Sequence, residues 1–323
     1  MLEPQSRALL EDLNAMTRAM DMGKAPDLAV AARAQAVAIF KAFAGRSDDE
    51  ERVAVSGIAV AGGDGDRPAR LYRAEGSSDA ALPLIVFFHG GGWAVGDLDC
   101  YDGLMRALCR LSGAVFISVD YRLAPEHGFP AGLEDAVAAT RWAARHASAL
   151  GCDPEKLAVM GDSAGGNLAA VVAQVVREDS PPLAAQYLLY PVIDSSRPHA
   201  AYPSRLAFGD GDLFLTRDAI DGTAAWYLAS GGGAADHPRV SPINAADLTG
   251  LAPAFVLVPA FDPLRDEGLV YADRLRASGV PVTSDVGAQT IHGFLTFGVL
   301  DVCHAGRRRI ANDIRLRFSP PAD

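Results

Sequence analysis

The sequence predicts an α/β fold with a mainly parallel central sheet and helices on both of its faces. Three observations carry this reading. From residue 53 onward, short runs rich in Val, Ile, Leu and Phe alternate with helical, often alanine-rich, patterns, which is the signature of strands joined by crossover helices. The runs at 84–88 and 115–119 are continuously apolar, as strands buried on both faces must be. Glycines gather in bursts just after such runs, where backbone has to approach something closely.

The elements follow in order. Residues 1–45 read as helices: Leu9, Leu13, Met16 and Met20 lie at helical spacing, and an alanine-rich run covers 28–43. Val53-Ala54-Val55 and Ala69-Arg70-Leu71-Tyr72 read as early strands. Then come a strand at 84–88, a helix over 99–111, a strand at 115–119, a helix over 132–149, a strand at 157–160, a helix over 166–178 and a strand at 186–190. Residues 195–240 break the alternation with glycine and proline clusters around one helical piece, 218–229. They read as an inserted segment. The alternation resumes with a strand at 254–258, a helix over 267–278, a strand at 280–286 and a helix after Asp301. The expected organisation is an N-terminal helical segment, 1–48, followed by one α/β unit, 49–323, carrying the insertion.

Composition narrows the class. A chain of 323 residues, half of them hydrophobic, buries roughly 75% of its unfolded surface and needs neither disulfides nor a structural metal to fold. With 29 basic and 40 acidic residues the net charge is −11, which argues against nucleic acid or an anionic membrane as the main partner. Cys100, Cys109, Cys152 and Cys303 form no C-x-x-C pair and no zinc spacing. They read as small buried thiols, although spacing alone would allow a Cys100–Cys109 bridge. The first residues carry no apolar leader, and the longest apolar stretches, 168–176 and 252–261, are far short of the roughly 20 residues of a membrane span. A soluble, cytoplasmic protein is expected.

In a parallel sheet, ligands bind at the carboxyl ends of the strands. The strand at 157–160 runs into Gly161-Asp162-Ser163-Ala164-Gly165-Gly166-Asn167, a G-x-S-x-G placed between strand and helix. Such a sharp turn holds Ser163 in a strained geometry with its hydroxyl exposed. A Cβ at Gly161 or Gly165 would collide with neighbouring chain. The helix that follows aims its first amides at the serine, favouring developing negative charge. The strand at 84–88 ends in His89-Gly90-Gly91-Gly92-Trp93, whose bare N–H groups can form an oxyanion hole. A phosphate loop is the rival reading, but no Lys-Ser or Lys-Thr follows. His89 could serve as a base or ligand; it reads better as structural, its ring fixing the glycine loop. The strand at 254–258 leads to Asp262, and the last strand leads to His292. A serine hydroxyl needs a base to become a nucleophile, and an imidazole with an ordinary pKa near 6.5 can take and return the proton. Asp262 sits nearest its strand end, while Asp266 and Glu267 are competing acids on the next helix. His127, His146, His199, His237 and His304 show no metal spacing.

These blocks, with Asp120-Tyr121-Arg122-Leu123-Ala124-Pro125-Glu126-His127-Gly128-Phe129-Pro130, resemble the hormone-sensitive-lipase-like family of α/β-hydrolases. This is the family of the bacterial family IV esterases, here in the Gly-Asp-Ser-Ala-Gly branch. The chain order Ser163, Asp262, His292 agrees with it. The resemblance implies the α/β-hydrolase fold with a helical cap made from the N-terminal helices and the insertion. It implies Ser163 as nucleophile, Asp262 as acid and His292 as base, with an oxyanion hole from the N–H groups of Gly91, Gly92 and Ala164. His89, Gly90, Asp162 and Trp93 would support them, without metal or cofactor. The activity implied is hydrolysis of short- to medium-chain carboxylic esters through an acyl-enzyme, with a small-molecule ester as partner. Acyl transfer, lactone opening and dehydration use the same fold. A non-catalytic binding protein is disfavoured because His292 is present. A homodimer is compatible with the family. The block 120–130 would be structural support, with one or both of Ala124–Pro125 and Phe129–Pro130 cis. Two departures stand out. Val286 and Gly287-Ala288-Gln289 replace an aromatic common in the last strand, and the N-terminal 45 residues match only in general character.

Overall fold

The computed structural model describes residues 1–19, 27–45, 47–77, 81–287 and 289–318. Two helices, α1 (Pro4–Ala19) and α2 (Leu28–Phe43), precede the sheet. Asp27 caps α2, its carboxylate accepting from the N–H groups of Ala29 and Val30. Met20, expected on the first helix, lies outside the described residues. Strands β1 (Val53–Gly62) and β2 (Gly65–Ala74) form an antiparallel hairpin, longer than the short runs at 53–55 and 69–72 foretold. Then follow β3 (Leu82–Phe88), α3 (Asp102–Ser112), β4 (Val115–Val119), α4 (Ala131–His146), β5 (Cys152–Asp162), α5 (Ala164–Val175) and β6 (Ala185–Leu189). The insertion holds two helices, α6 (Pro203–Phe208) and α7 (Arg217–Leu228), where one was expected. Strand β7 (Ala254–Leu257), α8 (Arg265–Ala277), β8 (Val282–Asp285) and α9 (Asp301–Phe318) complete the order.

The eight strands make one sheet in the order β1-β2-β4-β3-β5-β6-β7-β8. The β1–β2 and β2–β4 pairs are antiparallel, and every later pair is parallel. The strand order reverses at β3, which lies between β4 and β5, and in such sheets the carboxyl ends beside that point are where ligands bind. Register puts Phe88 beside Gly161, bringing the two glycine bursts side by side.

The apolar run of β3 feeds two cores, because successive side chains point to opposite faces. Leu84, Val86 and Phe88 pack in one cluster with residues of α4, α5 and α8. Ile85 and Phe87 pack in the other with residues of α3 and α9. A third cluster joins Leu9, Leu10 and Leu13 of α1 and Ile39 and Phe43 of α2 to Ile291, Phe297, Leu300 and Cys303. Polar links reinforce it: the Glu3 N–H donates to the Gln289 carbonyl at 2.9 Å, and the Ser6 and Thr290 hydroxyls are 2.6 Å apart. The N-terminal helices thus lean on the segment that carries His292.

The 120–130 block is tied to its neighbours by charged side chains. Arg122 pairs with buried Asp135 at 2.9 Å. Arg33 of α2 reaches Glu126 and donates to the carbonyls of Ala94 and Ala124. Ala124–Pro125 and Phe129–Pro130 are both cis, as is Ser180–Pro181. All four cysteines are free, with Cys100 only half-buried. Among the described residues no helix is long and apolar enough to cross a membrane.

Candidate active site

β5 runs to Asp162 and α5 starts at Ala164, so the reversal falls on Ser163 alone, at φ 54° and ψ −119°. That backbone conformation is strained for an L-residue. It is held by hydrogen bonds on both sides: the Ser163 N–H donates to the Leu189 carbonyl at 2.9 Å, and its carbonyl accepts from Val192 N–H at 3.1 Å. The helix begins two residues earlier than the sequence reading, because the glycines that look like loop are its first turn. Asn167 ties the turn to the insertion's end, donating to the carbonyls of Val192 and Val240.

Ser163 Oγ lies 2.9 Å from His292 Nε2, and His292 Nδ1 lies 2.8 Å from Asp262 Oδ2. With the Nδ1 proton donated to the carboxylate, Nε2 is free to accept the serine proton. The second Asp262 oxygen accepts from the Leu264 N–H at 2.8 Å. A bridge between Phe261 and Ile291 sets the residues before Asp262 and His292 side by side. The rival acids point elsewhere. Asp266 accepts from the Ser204 N–H and the Arg265 guanidinium. Glu267 is buried against Arg205 and accepts from the Ile193 N–H. Both therefore anchor the insertion.

The glycine loop stands next to the serine. Gly91 and Gly92 have φ of +110° and +59°. Ala94 and Val95 N–H groups close the turn onto the Gly91 carbonyl. The N–H groups of Gly91, Gly92 and Ala164 donate to no other group among the described residues. Asp162 joins the loop to the elbow: Oδ1 accepts from the Gly90 N–H at 2.7 Å and Oδ2 from the Tyr101 hydroxyl at 3.1 Å. Burial pushes its carboxyl up to about 7. His89 is fully buried, its Nδ1 donating to the Gly90 carbonyl at 2.8 Å, and burial lowers its pKa. The ring is stacked at 4.5 Å on Tyr121, whose hydroxyl donates to the His89 carbonyl.

Tyr101 and Tyr190 escaped the sequence reading. Tyr190 meets His292 edge-on, with centroids 4.9 Å apart. Tyr190 directly follows β6, a strand-end position that could have flagged it; Tyr101 sits in no motif. Val286, one of the departures from the family pattern, is half exposed, and Ala288 lies outside the described residues. Among the described residues no cluster of His, Cys, Asp or Glu is placed to hold a metal ion. The arrangement can activate a hydroxyl and hold an oxyanion, the two requirements of acyl transfer.

Comparison with known proteins agrees with this chemistry. A family model described as the alpha/beta hydrolase fold matches residues 85–296. The chain belongs to that family. Within it, the hormone-sensitive-lipase-like branch is where its relatives fall. It is 44% identical over 297 residues to the carboxylic ester hydrolase LipN of Mycobacterium tuberculosis, covering 90% of this chain and 77% of that protein. It is 43% identical over 239 residues to the carboxylesterase NlhH of the same organism, covering 73% of each. Among solved structures, an ester hydrolase from the metagenome of Lake Arreo, complexed with a bipyridine phosphonate derivative, superposes with a TM-score of 0.88. The two are 38% identical, covering 99% of this α/β-hydrolase and 100% of the other chain.

Proposed function

We propose that this α/β-hydrolase is a serine carboxylesterase. Ser163 Oγ attacks the ester carbonyl while His292 Nε2 takes its proton. Asp262 fixes the imidazole and stabilises the imidazolium. The N–H groups of Gly91, Gly92 and Ala164 hold the oxyanion of the tetrahedral intermediate. Collapse expels the alcohol, protonated by His292, and leaves an acyl-Ser163. Water, deprotonated by the same imidazole, then releases the acid. The carrying observation is the unbroken chain Ser163–His292–Asp262, at 2.9 and 2.8 Å, beside three uncommitted N–H groups.

The reading extends to short- and medium-chain esters. It is supported by the aromatic pair on the base side, Phe214 and Phe297, which meet edge-on next to Gly293. In this reading α1, α2 and residues 195–240 form the cap over the site. Four free thiols fit a reducing compartment, the cytoplasm. The test is Ser163→Ala, with p-nitrophenyl butyrate turnover followed alongside circular dichroism. Turnover should fall by about 10⁴-fold or more with the fold retained; activity near wild type would overturn the assignment. An acyl-chain series from C2 to C16 measures the length preference.

A further inference from the structure

The insertion does more than stand over the site: one face of α7 is packed into the glycine loop. Ile220, Thr223 and Tyr227 lie on a single stripe of that helix, at helical spacing. The Tyr227 ring stacks on Trp93, with centroids 4.3 Å apart and planes within 3°. Trp93 directly follows Gly92 and has a positive φ of 57°, a conformation a bulky residue adopts only when its surroundings impose it. Its carbonyl accepts from the Ala124 N–H at 2.8 Å. Phe129 braces Tyr227 from the other side, its N–H donating to the Tyr227 carbonyl at 2.6 Å and its ring meeting the tyrosine edge-on at 5.6 Å. One turn earlier, Thr223 lies against Gly92 itself: a Cβ on Gly92 would lie 2.5 Å from its methyl carbon.

Trp93 and Tyr227 are 2% and 1% exposed, so neither ring forms an open pocket wall. What they touch is the backbone that carries the N–H groups of Gly91 and Gly92. We propose that Tyr227, seconded by Thr223, is a positioning residue for those N–H groups, so that the insertion governs turnover as well as access. The assignment rests on the oxyanion role given above to the loop. The tyrosine hydroxyl has no hydrogen-bond partner among the described residues, so the ring alone carries the effect.

The experiment compares Tyr227→Phe, Tyr227→Ala and Thr223→Leu. Active sites are titrated with a p-nitrophenyl alkylphosphonate, so that rates refer to folded, reactive enzyme. Tyr227→Phe should keep wild-type kcat. Tyr227→Ala and Thr223→Leu should lose about tenfold in kcat, less than the 10²–10³ that follows outright loss of an oxyanion donor. KM should stay within about twofold. A trifluoromethyl ketone, bound as a hemiketal anion, should weaken by the same factor as kcat/KM falls. Thr223 is half-buried, so its variant answers the question even where Tyr227→Ala fails to fold. A change in KM alone, or unaltered ketone affinity with reduced kcat, overturns the proposal. Failure of the underlying oxyanion reading shows separately, as wild-type turnover in Gly91→Ala.

Discussion

The two glycine bursts look alike in the sequence but are closed in by different parts of the molecule. At the elbow, a Cβ on Gly161 would lie 2.1 Å from the Gly165 carbonyl oxygen, and one on Gly165 would lie 2.0 Å from that of Phe88. The obstacles are backbone of the central sheet and of the turn itself. In the loop after β3, a Cβ on Gly91 would meet the Val95 carbonyl at 2.2 Å, within the same turn, but the atoms nearest to one on Gly92 all belong to the Thr223 side chain. The glycines around the serine are thus closed in by backbone of the α/β unit, with Asn167 as the turn's tie to the insertion. Part of the adjacent loop takes its shape from the insertion. A chain can vary the second contact by substitution in α7; it cannot vary the first without rebuilding the sheet.

Substitutions can break this contrast at each point. The largest effect is expected for Gly165→Ala. Backbone cannot step aside, so the cost should reach or exceed the upper end of the roughly 1–3 kcal/mol typical of overpacking. Folded yield and Tm should drop, and no second side-chain change should restore them. Gly91→Ala comes next. At φ +110° alanine must twist the loop, and kcat should fall by about 10²–10³ with the circular dichroism spectrum unchanged. Wild-type turnover would show that this N–H is dispensable. For Gly92→Ala the loss should be nearer tenfold, and Gly92→Ala with Thr223→Gly should recover part of it. That non-additivity, read from a double-mutant cycle, is what separates a side-chain obstacle from a backbone one; strict additivity would erase the contrast.

The smallest change in turnover is expected at the link between the two bursts. Asp162→Asn keeps an acceptor for the Gly90 N–H and should cost less than about fivefold in kcat, since one neutral hydrogen bond is worth about 1 kcal/mol. Its signature lies in stability. Burial raises the Asp162 pKa from 3.8 to about 7, so the folded state binds this proton more tightly than the unfolded state. Its stabilising share is whole below pH 3.8 and is lost as pH rises through 7. Asparagine does not titrate. Urea unfolding at pH 4 and pH 8 should therefore show the variant gaining on wild type by about 2–4 kcal/mol. An unchanged difference would mean that Asp162 is ionised throughout.

What the sequence shows and hides follows from the same physics. The runs at 84–88 and 115–119 are legible because both faces of those strands are buried, and 115–119 matches β4 residue for residue. The hairpin is under-read because Asp66, Arg67 and Pro68 lie in the part of β2 that pairs with β1 but runs beyond its pairing with β4, where charged residues and a proline are tolerated. β5 begins five residues before the expected start, since Asp153-Pro154-Glu155-Lys156 mimics a loop. Of the site, the residues in strand-end motifs are legible, and the structure brings Ser163, Asp262 and His292 within hydrogen-bond reach of one another. The contacts that shape the site from outside a motif are not. Thr223 and Tyr227 lie more than a hundred residues from the loop they touch, on a helix whose pattern says only that one face is covered. Glu267 reads as a candidate acid because its partner Arg205 is 62 positions away.

The contact between α1 and the His292 segment also orders events during synthesis. Glu3 and Ser6 bind Gln289 and Thr290 across separations of more than 280 positions. Since chains emerge and begin to fold from the N-terminal end, the first helix leaves the ribosome with its docking surface not yet made. Its apolar face must wait, or be sheltered, until Ile291, Phe297, Leu300 and Cys303 appear. The serine turn can form earlier, from residues between β3 and β6, but the base that would activate it arrives late and is clamped by what came first. The nascent protein is therefore unable to act on esters until the His292 segment has been translated.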